Sequence, residues 1–190
     1  MHDGIAPDCV TVPADALAVV DFWQEAGPRL WFAKDAGFDR RFRERFLPLH
    51  EKAARGERDF WLETPTSALA LLLLLDQFPR NAFRGTTRMY ATDALARETA
   101  RRAVDAGLHL EVPEELRPFF LLPFGHSELL VDQERAVALA RRLPEPVPLH
   151  AERHRDIIRR FGRFPHRNPI LGRKTTPEEQ RFLDEGGFAG

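Results

Sequence analysis

Thr64-Pro65-Thr66-Ser67-Ala68-Leu69-Ala70-Leu71-Leu72-Leu73-Leu74-Leu75-Asp76-Gln77-Phe78-Pro79-Arg80-Asn81 is the run on which the fold turns. From Ala68 to Leu75 every residue is apolar, so no face is left for water and the segment reads as a helix buried on all sides. The stretch is far short of the roughly twenty residues that span a bilayer. Thr64 is placed to cap the helix and Pro65 to occupy its first position, where a missing N–H costs nothing. At the other end Pro79 is expected to stop the run by forcing an extended residue before it. Asp76 stands at the close of this apolar segment, where a buried carboxylate needs a cationic partner, and an arginine is the obvious one.

Working outward, the dominant period is helical and no alternating pair of strands emerges. Pro13 to Gln24 forms one amphipathic helix, with Leu17, Val20 and Trp23 on its inner face and Gly27-Pro28 as its stop. Asp39 is a candidate cap for Arg40 to Ala54, whose Phe42, Phe46 and Leu49 form a stripe that Pro48 is expected to kink or break. A long helix follows Gly85-Thr86 and ends near Gly107. A short piece covers Pro113 to Leu122, Pro123-Phe124-Gly125 reads as a turn, and a helix opens at His126-Ser127-Glu128 with Ser127 as its cap. Pro144, Pro146 and Pro148 then separate it from His150 to Phe161. Thr176-Pro177-Glu178-Glu179 carries the signature of a capping box. The expectation is an all-α fold of seven to eight helices in antiparallel hairpins, a layered bundle forming a single domain over 1–190 with residues 1–12 as a loose arm.

Composition narrows the class. With 190 residues, 43% hydrophobic and 30% charged, the chain is long enough to bury an ordinary core. A formal net charge of -1 argues against nucleic acid as a partner. Cys9 is the only cysteine, which leaves no intramolecular disulfide or cysteine cage and makes cytoplasm the default compartment. Met1 to Val12 contain Asp3, Pro7 and Asp8 and no apolar run flanked by positive charge, so they do not read as a secretory signal. Lysine occurs only at positions 34, 52 and 174, so arginine supplies nearly all the positive charge.

The Phe-Pro-Arg-Asn phrase of the opening run returns, one residue longer, as Arg163-Phe164-Pro165-His166-Arg167-Asn168. If the two corners face each other, Arg80, Asn81, Arg163, Arg167 and Asn168 bring guanidinium and carboxamide donors together, a set suited to an anionic or carbonyl-bearing small molecule. His166 and His126 are the candidate acid/base groups. Glu128 and Asp132, four apart, are their candidate partner carboxylates on one helix face. Asp76 and Gln77 would sit behind this layer and orient it. Each residue also has a purely structural role open to it, with the arginines and asparagines locking helix ends and the aromatics filling the core.

His150 and His154 are four apart on a helix and could join Glu128 or Asp132, but Glu152 between them is not at the position that the zinc-hydrolase helix requires, so no metal is expected. No Gly-rich phosphate loop or dinucleotide fingerprint is present, so no cofactor is expected either.

Leu75-Asp76-Gln77-Phe78-Pro79-Arg80-Asn81, then Pro123-Phe124-Gly125-His126-Ser127-Glu128, then Arg160 through Asn168 with Leu171-Gly172-Arg173, resemble in order the motifs of an uncharacterised bacterial family, domain of unknown function 924. The resemblance extends from Asp21-Phe22-Trp23 to Thr176-Pro177-Glu178-Glu179 and so covers nearly the whole chain. Gly125 departs from it, standing where a larger residue is expected. The resemblance implies a tetratricopeptide-like all-helical fold and carries no activity.

Two functions of different class follow. One is an acid/base enzyme acting on a small anionic or carbonyl-bearing molecule, which predicts buried imidazoles or carboxyls with displaced pKa values. The other is a tetratricopeptide-like module gripping a peptide carboxylate or acidic tail, which predicts an open groove. Oligomeric state is not encoded in any motif.

Overall fold

The computed structural model describes residues 11–188, so most of the expected N-terminal arm and Cys9 lie outside the described residues. Among the described residues ten α-helices follow one another: α1 (Ala14–Ala26), α2 (Pro28–Trp31), α3 (Ala36–Ala54), α4 (Pro65–Leu72), α5 (Phe78–Ala82), α6 (Asp93–Asp105), α7 (Pro118–Gly125), α8 (Leu130–Ala140), α9 (Val147–Phe161) and α10 (Pro177–Asp184). No strand occurs among the described residues. No helix among them is long and apolar enough to cross a membrane.

The apolar run forms the axis of the molecule, with every residue from Ser67 to Pro79 buried. Thr64 caps α4 by accepting from the Ser67 N–H, and Pro65 takes the first turn, as the sequence predicts. α1, α6 and α7 pack around α4, while α3 lies against α5 and the turn between α4 and α5. Burying a leucine in such a core contributes about 1.5–3 kcal/mol. Successive packing of α7 on α8 and α8 on α9 extends the molecule away from this axis.

Pro79 does not end the helix. The chain widens into a π-turn over Leu73–Gln77 and continues directly as α5, with Phe78 in the α conformation at φ -53°, ψ -48°. The Phe78 N–H reaches back five residues to the Leu73 carbonyl, and proline has no N–H to offer the next carbonyls. Leu74 O instead accepts from His50 Nδ1 at 2.9 Å, and Leu75 O from Thr92 Oγ1 at 2.6 Å. Side chains of α3 and of the approach to α6 therefore replace two missing backbone donors inside the core.

Other local expectations shift for similar reasons. α3 begins at its cap Asp35, which accepts from the Phe38 N–H, leaving Asp39 free to bind elsewhere. Pro48 is accommodated without a break because it and Glu44, whose carbonyl it leaves without an N–H, lie on the exposed side of α3. On α1 the buried stripe is Ala16, Val19, Val20 and Trp23, while Leu17, one residue out of phase, is 42% exposed. Trp23, Trp31 and Trp61 are core residues, with Trp23 and Trp31 both edge-on to Phe119. Pro123 to Gly125 complete α7 rather than turning, and α8 starts only at Leu130.

Candidate functional site

The π-turn places Asp76 and Gln77 at the buried mouth of α5. Asp76 Oδ1 accepts from His126 Nδ1 at 2.8 Å and lies 3.2 Å from Arg80 Nη1, while Asp76 Oδ2 accepts from Gln77 Nε2 at 2.6 Å. Because a carboxylate only accepts, His126 carries its proton on Nδ1 and keeps its lone pair on Nε2. Burial pushes the Asp76 carboxyl up, but Arg80, His126 and Gln77 outweigh it and hold it down at about 2. Burial and the neighbouring Arg80 charge lower the His126 pKa, so the imidazole is neutral at pH 7. The result is an ionised carboxylate orienting a neutral imidazole.

The second corner approaches from the other side. α9 ends at Gly162, whose left-handed φ of 70° turns the chain, and Phe164 is extended before Pro165 as expected. This places Arg167 in the core, 8% exposed, with its guanidinium over the rings of Tyr90 and Phe164. Asp93, at the start of α6, stands between the corners: its Oδ1 is 3.0 Å from Arg80 Nη1 and its Oδ2 is 3.7 Å from Arg167 Nη1. The two arginines therefore meet across one carboxylate. Arg80 also donates to the Asp76 carbonyl oxygen at 2.7 Å. Burial and the nearby Arg80 charge lower the Arg167 pKa, whereas Asp76 and Asp93 raise that of Arg80 against the effect of burial.

Several polar atoms here are buried without a hydrogen-bond partner among the described residues: Arg80 Nη2, Arg167 Nε, His166 Nδ1 and Asp93 Oδ1. The Asp93 oxygen has an ion-pair distance to Arg80 but not hydrogen-bond alignment. Burial, then the Arg167 charge, holds His166 down at about 4. His154, on α9, is held at about 3 by burial and then by the surrounding imidazoles and Arg167. Phe188 covers both rings, with centroids 4.6 Å from His154 and 5.1 Å from His166.

The other residues singled out from the sequence have structural partners. Asn81 donates to Asp39 Oδ1, which Arg84 also binds. Arg163 grips Glu179 through two hydrogen bonds, and Asn168 donates to the same carboxylate. Glu128 precedes α8 instead of sharing its face with Asp132; it takes both Nη atoms of Arg173 and the Phe164 N–H. Asp132 accepts from Ser127 Oγ and lies 3.5 Å from Arg97. Ser127, three residues ahead of the first residue of α8, accepts from the Leu129 N–H.

Asp93, Tyr90 and Thr92 belong to the cluster and were not singled out by sequence. Thr92-Asp93 carries an ordinary helix-start signal, which identifies an element end but not what that end faces.

Among the described residues no group of three His, Cys, Asp or Glu side chains is arranged to hold a metal ion. Two surface clefts of about 340 and 420 Å³ lie against Pro48, lined by residues such as Arg45, Phe46, Arg40 and Leu47. No member of the Arg80 and Arg167 cluster lines them.

No functionally curated protein matches the chain. Among solved structures, a protein of unknown function, ATU0120, from Agrobacterium tumefaciens is 57% identical, with a TM-score of 0.88 over 90% of this chain and 97% of that one. Residues 19–187 match the family described as bacterial protein of unknown function, DUF924. With nearly the whole folded chain inside that match, the protein belongs to the DUF924 family.

Proposed function

We propose that the junction of the two Phe-Pro corners binds a small molecule through an oxyanion or carbonyl oxygen, and that His126 acts there as the acid/base group. The observation that carries this reading is the set of buried donors left without partners, Arg80 Nη2 and Arg167 Nε on either side of Asp93. An unsatisfied buried donor costs about 1–3 kcal/mol, and a fold that leaves two on adjacent guanidiniums gains by receiving an acceptor there. Arg80 and Arg167 hold the oxygen, Tyr90 and Phe164 fix the Arg167 plane by cation–π contact, and Asp76 sets the His126 tautomer. A neutral imidazole with its Nε2 lone pair free is the form that accepts a proton.

The test is a thermal-shift series on the purified protein with carboxylates, amides and inorganic phosphate, repeated on Arg167→Ala. Ligand binding to the native state raises the melting temperature. The expected result is a shift with at least one compound that Arg167→Ala removes while its far-UV spectrum stays native. A variant that melts far lower and leaves every ligand response unchanged would assign Arg167 to helix locking alone.

A further inference from the structure

The charge balance of the junction narrows the class of ligand. This step rests on the binding role proposed above. Arg80 and Arg167 contribute two positive charges, and Asp76 and Asp93, both within ion-pair distance of them, contribute two negative charges. The neighbouring pair Glu128 and Arg173 cancels as well. A dianion entering this junction would give up its hydration without meeting a net positive field. It would also bring its oxygens against the Asp93 carboxylate, which bridges the two guanidiniums.

The unpartnered atoms have two complementary characters. Arg80 Nη2 and Arg167 Nε are donors, and Asp93 Oδ1 is an acceptor. Arg167 is more than nine-tenths buried and Asp93 is 22% exposed, with its Oδ1 itself buried. We infer that the junction recognises a neutral or zwitterionic molecule in which a carbonyl or carboxylate oxygen stands next to an N–H or O–H donor, as in α-amino acids and α-hydroxyamides. The oxygen takes the two guanidinium donors and the adjacent donor takes Asp93. Asp93 is thus the specificity-determining residue, and it selects against simple anions.

Glycine, glycolamide, acetate and inorganic phosphate are the probes, titrated into the full chain at matched ionic strength with melting temperature as the readout. Acetate is glycine without the ammonium group, so their ratio isolates the Asp93 contact. The native protein is expected to bind glycine or glycolamide about ten-fold or more tightly than acetate, the ratio that one hydrogen bond to a charged group supplies. Asp93→Asn removes the negative acceptor while keeping the side-chain shape, and is expected to collapse that ratio toward one and to bring in phosphate binding. Acetate or phosphate binding the native protein as well as glycine, with Arg167→Ala abolishing it, would overturn the donor-and-acceptor class but leave the site. No response to any probe in native protein or Asp93→Asn would overturn both readings.

Discussion

Replacing Glu179 with alanine removes, in one step, the acceptor for Arg163, for Asn168 Nδ2 and for the Thr176 N–H. The Glu179 carboxyl is held at about 2, first by the Arg163 hydrogen bonds, and it is almost fully buried. Loss of the acceptor leaves buried donors unpaired, so Glu179→Ala is expected to cost about 1–3 kcal/mol in urea unfolding. Arg163→Ala should lower the melting temperature in the same direction while leaving the binding response of the Arg80 and Arg167 junction intact. An unchanged melting temperature together with lost ligand binding would return Arg163 to the site. In the sequence Arg163 and Arg167 look alike, since both flank the same Phe-Pro pair. What separates them is which carboxylate the fold delivers: Glu179 from α10 reaches one with full bidentate geometry, and Asp93 reaches the other only at 3.7 Å. That difference arises from contacts distant in sequence, and no local motif encodes it.

At the scale of elements, the passage from α4 through the π-turn into α5 shows how a sequence rule is overridden. Proline withholds its N–H, yet the helix continues because Thr92 and His50 supply donors to Leu75 O and Leu74 O. Thr92→Val removes one donor with little change of shape and is expected to destabilise by about 1–3 kcal/mol. Pro79→Ala restores a backbone N–H within reach of the carbonyls that the π-turn exposes. In the double variant Pro79→Ala/Thr92→Val the two changes should compensate, giving a coupling energy of about 1 kcal/mol in a double-mutant cycle. Additive losses would show that the alanine N–H does not take over the contact. The starts of α4 and α10 were legible because Thr64, Pro65, Thr176 and Glu179 act through their immediate neighbours. The continuation through Pro79 was not, because it depends on Thr92 and His50, which lie elsewhere in the chain. Pro48 misled for the opposite reason: on an exposed helix face the unpaired carbonyl is free to meet water, so no break is required.

For the whole molecule, the all-helical class and the central apolar helix followed from the run at 64–81, because a segment without a polar face has only the interior to occupy. The meeting of Arg80 and Arg167 was also anticipated from the repeated corner, whereas Asp93, which joins them, was hidden in an ordinary helix start. The same burial that gathers these groups sets how the fold responds to acid. His166 and His154 are held at about 4 and about 3 against an ordinary value of 6.5, and His126 is lowered as well. As pH falls below 6.5 the unfolded chain takes up these protons and the folded chain does not, so acid favours unfolding. Stability present above pH 6.5 is lost progressively until the folded values are reached, at about 1.4 kcal/mol per pH unit for each proton. The carboxylates add a second, later loss: Asp76 and Glu179, held at about 2 against 3.8 and 4.5, contribute stability above those ordinary values that disappears as pH falls toward about 2. Urea midpoints should therefore decline already between about pH 6.5 and 5.5, ahead of the carboxylate loss, and His154→Gln should make that first decline shallower without altering the second. A midpoint that stays constant down to about pH 4.5 in the native protein would mean that the histidines titrate freely and that the cluster is open to water.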